Sequence, residues 1–474
     1  MICKVYSADI CGIDAFQICV EADVSAGLPA FTIVGLPSSE VREARERVER
    51  AIVNSGFEFP PRRITINLSP AYLRKQGSGF DLPIAVAVLA ATGAVRQEAL
   101  AGRMFIGELS LDGAVNPVRG VLPIAVFARN SGFDCIVMPK DNEFEGAAVD
   151  GIKIHGTSDL KTLCGELNAM QMRDVEHTDL DSLIAQAATD QSLDYADVIG
   201  QEGAKKAVMV AAAGFHNILF VGPPGAGKSM IAKRIPTIFN RLTKDECLEI
   251  SKIYSIAGLL KDNSLILTRP FRSPHQNITD AALLGGSSSP RPGEITLAHR
   301  GVLFLDELTE FRRGTINELR TPLEEKKITI NRAAYRAEFP CDFMLASSAN
   351  PCPCGWYPAR NICTCSETDI NRYISKIKGP ILDRIDICAH VSKVETSAFS
   401  SHTPKGGMSS ADMREKVLKA QEIQQARFAG SAAAFNSQMT RQEIEQYCVL
   451  DSECRAILTK AYDRFNMTAR GWYK

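Results

Sequence analysis

The chain has 474 residues, of which 45% are hydrophobic and 23% charged, and its formal net charge is −1. That length accommodates roughly two to four domains, and the composition is ordinary for a globular protein. A charge near zero excludes a broad basic field for nucleic acid, so any such contact has to come from local basic loops.

The longest apolar stretch, Leu82 to Val95, is too short to span a bilayer and is broken by Gly93. The N-terminus reads as an alternating strand with Asp9 close behind, not as a signal peptide. Fourteen cysteines at irregular spacing, with no secretion signal, point to a reducing cytosol. A cytoplasmic chain without membrane contact is the expectation.

Residues 1–168 read as a first α/β domain of alternating elements. Ile64 to Leu68 alternates like a half-buried strand. Val41, Ala44, Val48 and Ile52 share one helical face, with Ser38 or Ser39 available as cap and Gly56 just past the end. Asp81 is the expected cap of a second helix, Leu82 to Thr92, apolar nearly all round and so buried. Residues 169–194 turn polar and acidic and read as a linker with room for one short helix.

A second domain, 195–395, is built around one strand and the turn after it. Ile218 to Val221 is a short apolar run of the buried parallel kind. It feeds Gly222-Pro223-Pro224-Gly225-Ala226-Gly227-Lys228-Ser229, which matches the P-loop pattern at every fixed position. Glycines let backbone N–H groups curl around phosphate oxygens. Lys228 places a charge on the β/γ-phosphates and Ser229 offers a hydroxyl to Mg²⁺. The expected ligands are therefore ATP and Mg²⁺.

The next apolar run, Val302 to Leu305, ends in Asp306-Glu307. A buried strand delivering two carboxylates suits a Walker B site, with Asp306 on Mg²⁺ and Glu307 polarising the attacking water. Phe343 to Ser348 reads as a further strand, and Asn350 beyond its end as a γ-phosphate sensor. Before it, Ile328 to Arg332 and Tyr335 to Phe339 read as a β-hairpin, and residues 273–300 as an inserted loop or hairpin. Arg272, Arg291, Arg332 and Arg336 stand on these loops and are the candidates for any nucleic-acid contact. Cys352, Cys354, Cys363 and Cys365 form a C-x-C…C-x-C set. Four close thiolates suit a closed, structural Zn²⁺ site, although one intervening residue makes a tighter chelate than the commoner spacing.

Several stretches resemble known families. Lys75 to Asp81 and Gly107 to Gly113 are similar to the active-site segments of Lon-protease-like (ribosomal S5 domain 2-like) domains. The dyad serine of that family aligns with Gly79, one residue from Ser78, and its lysine with Leu122; without a lysine to act as base, proteolysis is not expected. Tyr195 to Gln201 looks like the segment that packs on adenine in AAA+ ATPases. Gly379 to Asp386 resembles their arginine-finger segment, with Arg384 reaching a neighbouring subunit; its alternative is an ion pair with Asp383 or Asp386. Met467 to Gly471 resembles sensor 2, with Arg470 the candidate.

Taken in order, GPPGAGKS, RPFRSPH, PGEITLAHRGVLFLDEL, ANPCPCG and GPILDRIDI resemble the magnesium-chelatase-like AAA+ family of the ComM/YifB type over essentially the whole chain. The resemblance implies a ChlI-like N-terminal domain, a P-loop AAA+ α/β core and a helical lid at 396–474. It also implies a homo-hexameric ATP-driven motor on branched or single-stranded DNA, a helicase associated with branch migration in natural transformation. Two features depart from the family: His275-Gln276 stands where relatives read His-His, and the chain stops at Lys474 inside the expected sensor-2 helix, as a truncated product would. Two other classes compete, a metal chelatase ATPase subunit and a regulator that remodels protein partners.

Overall fold

A computed structural model describes residues 2–187, 192–260, 265–286, 290–332, 335–359, 361–377, 381–393, 407–431, 433–465 and 467–473, without the side chains of 332, 335, 465 and 470. The chain divides into two compact units that are not contiguous in sequence. The first comprises Met1–Leu183, Thr243–Ile266 and Ile330–Glu338; the second comprises Ile184–Leu242, Leu267–Thr329 and Phe339–Lys474.

The strands of the first unit are β1 (Ile2–Cys11), β2 (Asp14–Ser25), β3 (Ala30–Val34), β4 (Arg63–Ser69), β5 (Arg103–Phe105), β6 (Glu108–Leu109), β7 (Val115–Asn116), β8 (Cys135–Pro139) and β9 (Lys153–Thr157). Seven of them form a mixed sheet in the order β3-β4-β2-β1-β5-β8-β9. β1 and β2 are joined antiparallel from Ile2↔Asp23 to Cys11↔Asp14. The alternation of β4 puts Ile64, Ile66 and Leu68 into the core.

Ser38 caps the helix Ser39–Asn54, its Oγ accepting from Val41 N at 3.4 Å. Val41, Ala44, Val48 and Ile52 are buried along one face, and Gly56 turns the chain at φ +87°. The helix Asp81–Ala91 is buried at every residue, packed against β1, β2 and the first helix. Each large aliphatic side chain there contributes about 1.5–3 kcal/mol through burial. Asp81 is not its cap. The helix begins at Asp81 itself, and the carboxylate instead takes two hydrogen bonds from Arg47, Nε at 2.6 Å and Nη2 at 3.0 Å. A buried carboxylate needs a cationic partner, and Arg47 on the neighbouring helix supplies it.

The second unit carries β10 (Ile218–Val221), β11 (Phe271–Arg272), β12 (Val302–Leu305), β15 (Met344–Ala349) and β16 (Ile387–His390), with the ribbon β13 (Lys327–Arg332) and β14 (Tyr335–Pro340) lying between β12 and β15 in the chain. Residues Ile330–Glu338 of that ribbon group with the first unit. The five-stranded sheet is parallel throughout, in the order β11-β12-β15-β10-β16. β10 therefore has β15 on one side and β16 on the other, and the three strand ends meet at one edge. Phe220, Ile231, Phe304, Met344 and Ala346 are among the residues of the core beside it.

The insertion at 273–300 is more helical than its composition suggests. Thr279 caps a short helix, Asp280–Leu284, which Gly285 ends at φ +98°. Gly285 and Pro292 pair in an isolated bridge, and a second turn follows at Glu294–Leu297. The C-terminal stretch is helical at Ser410–Arg427, Arg441–Tyr447, Ser452–Phe465 and Ala469–Tyr473. The first of these is tied to the helix Glu202–Gly214 by Gln421 Nε2 on Ala212 O (3.2 Å) and Gln424 Nε2 on Ala213 O (2.9 Å).

Candidate functional site

The site grows from the ends of β10, β12 and β15. Gly222 leaves β10 so close to the residue after β16 that a Cβ there would sit 2.1 Å from Val391 O. Gly225 and Gly227 take φ +72° and +93°, and a Cβ on either would meet nothing within 4 Å. Their demand is thus for backbone conformation, and the hollow beside them is open, as a phosphate cradle requires.

Lys228 is buried. Its Nζ donates to Gly222 O (2.8 Å), Pro223 O (3.0 Å) and Asn350 Oδ1 (3.0 Å). Desolvation pulls its pKa below the usual lysine range, and the charges of Asp306 and Glu307 oppose that shift. Ser229 Oγ donates to Asp306 Oδ2 at 2.6 Å, and Ser348 Oγ donates to Asp306 Oδ1 at 2.5 Å. A hydroxyl and a carboxylate in contact at a P-loop are hard oxygen donors of the kind Mg²⁺ takes, so the residues fit that ion.

Glu307 follows in the left-handed region, φ +54°, uncommon for a residue with a Cβ and a form of strain that concentrates at functional sites. Its N–H donates to Ser348 Oγ at 3.0 Å, and its side chain is exposed. Ser348 thus holds both halves of the Asp306-Glu307 pair. Sequence reasoning passed over it; the available signal was a pair of serines in an apolar strand, Ser347-Ser348, both buried, which have to find polar partners.

Around this centre, Tyr195 is buried and its hydroxyl donates to Ile231 O at 2.8 Å. Gln201 Nε2 reaches Ser392 O at 2.6 Å and Ala226 O at 3.5 Å. The segment expected beside adenine is therefore tied to the P-loop and to the chain after β16. Pro224 touches a more distant stretch: a Cβ on Gly355 would lie 2.4 Å from its Cδ.

Cys352, Cys354, Cys363 and Cys365 converge, all four sulfurs lying within 4.8 Å of one another. Cys352 Sγ is 3.4 Å from Cys354 Sγ and 3.8 Å from Cys363 Sγ. A backbone hydrogen bond from Trp356 holds the Cys354 thiol down to about 6.

Other sequence-predicted residues are placed differently. Arg384 is 6% exposed and its Nη2 donates to Glu324 of the same chain, a partner that sequence order does not suggest. Its carbonyl accepts from Asn217 Nδ2 at 2.8 Å. It does not stand out into solvent as a finger aimed at a neighbour would. Arg272 grips Glu294 with Nε at 2.7 Å and Nη2 at 2.6 Å, so it is not a free cation for DNA. Arg336 is exposed beside Glu338 at 3.1 Å, and Arg291 is exposed. The side chains of Arg332 and Arg470 lie outside the described residues, as do Gly379 and Pro380.

In the first unit the protease positions are occupied otherwise. Leu122 is buried, and Ser78 Oγ donates to Glu108. Lys75 is buried with its Nζ on the carbonyls of Gly35 (2.9 Å), Leu73 (2.8 Å) and Pro70, so it does not serve Ser78 as a base. Among the described residues no helix is long and apolar enough to cross a membrane.

Family models match the chain in three stretches: "Subunit ChlI of Mg-chelatase" over 20–142, "Magnesium chelatase, subunit ChlI" over 194–399 and "Magnesium chelatase, subunit ChlI C-terminal" over 407–474. The chain is 39% identical over 472 residues to an uncharacterised protein of Mycobacterium tuberculosis, covering 99% of this chain and 92% of that one. It is 39% identical to YifB of Escherichia coli (98% and 89% covered). With the competence protein ComM of Haemophilus influenzae it shares 37% identity (99% and 91% covered). With three matched segments, near-complete coverage and a P-loop α/β core, the chain belongs to the magnesium-chelatase-like AAA+ family that includes ComM and YifB.

Proposed function

We propose that this chain is the subunit of a cytoplasmic, homo-hexameric ATPase that moves on branched or single-stranded DNA. On this reading it promotes branch migration of recombination intermediates, such as those of natural transformation. The observation that carries the reading is the hydrogen-bonded set Lys228, Asn350, Ser229, Asp306 and Ser348, in a chain similar along its length to a competence protein.

The residues divide the work. Lys228 lies across the turn, with its charge directed to the β/γ-phosphates of ATP. Asn350 orients that ammonium and lies where the γ-phosphate would be sensed. Bound at Ser229 and Asp306, Mg²⁺ would supply charge neutralisation for phosphoryl transfer. Glu307 carries the free carboxylate that polarises the attacking water. The four cysteines are read as holding a structural Zn²⁺. Arg291, Arg332 and Arg336 are the proposed phosphate contacts on DNA, and Arg384 and Arg470 the proposed arginines of nucleotide sensing. Arg384 has to leave Glu324 to act across a subunit interface.

The test is ATP hydrolysis with and without forked DNA, at rising salt. Strong stimulation by the fork is expected. Affinity should fall steeply with salt and vary little with sequence, because phosphate contacts release counterions. A chelatase subunit, the reading favoured by the ChlI matches alone, or a protein remodeller would hydrolyse ATP without responding to the fork.

A further inference from the structure

One segment of six residues touches the P-loop twice. Its first residue, Asn350, accepts from Lys228 Nζ at 3.0 Å. Its last, Gly355, sits at φ +84°, so close to Pro224 that a Cβ would come within 2.4 Å of Cδ and 2.7 Å of Cγ. Between them stand Cys352 and Cys354. Gly355 N donates to Cys352 O at 2.9 Å, and Tyr357 N donates to Cys352 Sγ at 3.4 Å. The turn that presents Gly355 to the P-loop is therefore the same turn that presents two of the four thiols.

The sulfur geometry suits a single ion. Tetrahedral Zn²⁺ with Zn–S near 2.3 Å sets neighbouring sulfurs about 3.8 Å apart. The separations here are 3.4 Å (Cys352–Cys354), 3.6 Å (Cys354–Cys363) and 3.8 Å (Cys352–Cys363), with Cys365 inside the same 4.8 Å group. A cluster in which each thiolate bound a separate iron would spread the sulfurs farther. Apart from its cysteines, the stretch from Asn350 to Ser366 is mostly prolines, a glycine and polar side chains, with little apolar material to order it, and metal binding supplies that order.

We infer that the four-thiolate zinc centre is a brace for the nucleotide site: by fixing the turn at Cys352–Gly355 it holds Pro224, and with it the P-loop, in the conformation that binds phosphate. The inference rests on the zinc reading above and goes beyond it. It also reverses a natural expectation. A metal clip lying in sequence between Asn350 and Arg384 would be expected to serve assembly or Arg384 placement before ATP binding. Contact with Pro224 puts its first effect on nucleotide affinity instead.

The test uses the full chain, purified without chelator. Zinc content is measured first, and then binding of a fluorescent ADP analogue with Mg²⁺ to as-purified, zinc-stripped and zinc-restored protein. One zinc per chain is expected, with a loss of roughly tenfold in ADP affinity on stripping, regained when zinc returns. Gly355→Ala keeps all four thiols and should keep its zinc, yet weaken ADP binding by a similar factor. Gly355→Ala should cost less in a Pro224→Ala background than in the parent, because the ring atoms the new Cβ would strike are gone. If stripping unfolds the protein, as circular dichroism would report, the metal-loaded Gly355→Ala variant decides the question. Folded protein without metal and with four reactive thiols overturns the zinc reading. Zinc-loaded protein whose ADP affinity is unchanged by stripping and by Gly355→Ala overturns the brace and leaves the zinc.

Discussion

Lys228 Nζ and Asn350 Oδ1 lie 3.0 Å apart, so the residues that follow β10 and β15, adjacent strands of one parallel sheet, are joined by a hydrogen bond to a charged donor. Such bonds are worth more than neutral ones, about 1.5–3 kcal/mol. Asn350→Ala leaves Lys228 with two carbonyl acceptors. Hydrolysis should fall by roughly 10–100-fold, about 1.4–2.7 kcal/mol of barrier, with a smaller loss of ATP affinity than in Lys228→Ala. Single-turnover kinetics beside equilibrium binding separates the two effects. Equal losses of binding in both variants would make Asn350 a ground-state ligand instead of a sensor.

Glu307 acts on water in the transition state, whereas Lys228 meets phosphate charge already in the ground state. Glu307→Gln should bind ATP as the parent does and lose turnover by roughly 10²–10⁴, the range of a general base. Turnover at the parental rate would remove Glu307 from the chemistry.

Ser348 holds Asp306 Oδ1 at 2.5 Å and Glu307 N at 3.0 Å. Ser348→Ala should raise the Mg²⁺ concentration needed for half-maximal hydrolysis, because a ligand without its orienting partner binds metal roughly 10–100-fold more weakly. A magnesium titration at saturating ATP reads this directly. An unshifted midpoint would mean that Ser229 alone keeps Asp306 in place.

Arg384 pairs with Glu324 in its own chain. If it serves a neighbouring subunit, Glu324→Ala should release it and preserve hydrolysis, while Arg384→Ala should abolish it. Mixed rings of Arg384→Ala and Lys228→Ala subunits should then recover part of the activity, since each supplies what the other lacks. No recovery in any mixture, with assembly verified, would leave Arg384 a structural residue of its own subunit.

Asp9 offers a pH test in the first unit. Its Oδ1 accepts from Ile10 N at 2.8 Å and its Oδ2 from Gln76 N at 3.0 Å, yet burial pushes its pKa from 3.8 up to about 6. The folded state therefore keeps the proton to higher pH than the unfolded chain does. The stabilisation from protonated Asp9 is fully present below about pH 4 and is lost as pH rises through about 6, a change of about 1–3 kcal/mol. Thermal unfolding of the full chain between pH 4 and 7 should show that loss, and Asp9→Asn should flatten it. The same slope in the variant would assign the titration to another group.

Much of this protein is legible in its residues because it is local. Gly222 to Ser229 has to be a turn that admits backbone to phosphate, and the runs that end in Val221, Leu305 and Ser348 have to be buried strands. A short apolar run bounded by turn residues has few other places to go. The capping of the helix at Ser38 and the convergence of the four cysteines depend on short spacings and were equally readable. What the tertiary structure decided depends on which strands lie side by side. The order β12-β15-β10 brings Asp306, Ser348, Asn350 and Lys228 together from segments far apart in the chain. It assigns Glu324 to Arg384, Glu294 to Arg272 and Arg47 to Asp81. Each of these partners answers a general demand, that a charge withdrawn wholly (Asp81, Arg384) or partly (Arg272) from water be paired. The sequence states the demand, but only packing determines which of many carboxylates or arginines arrives to meet it. The contact of Gly355 with Pro224 is of the same kind. A glycine announces close approach of something, and the fold alone says that here it is the P-loop.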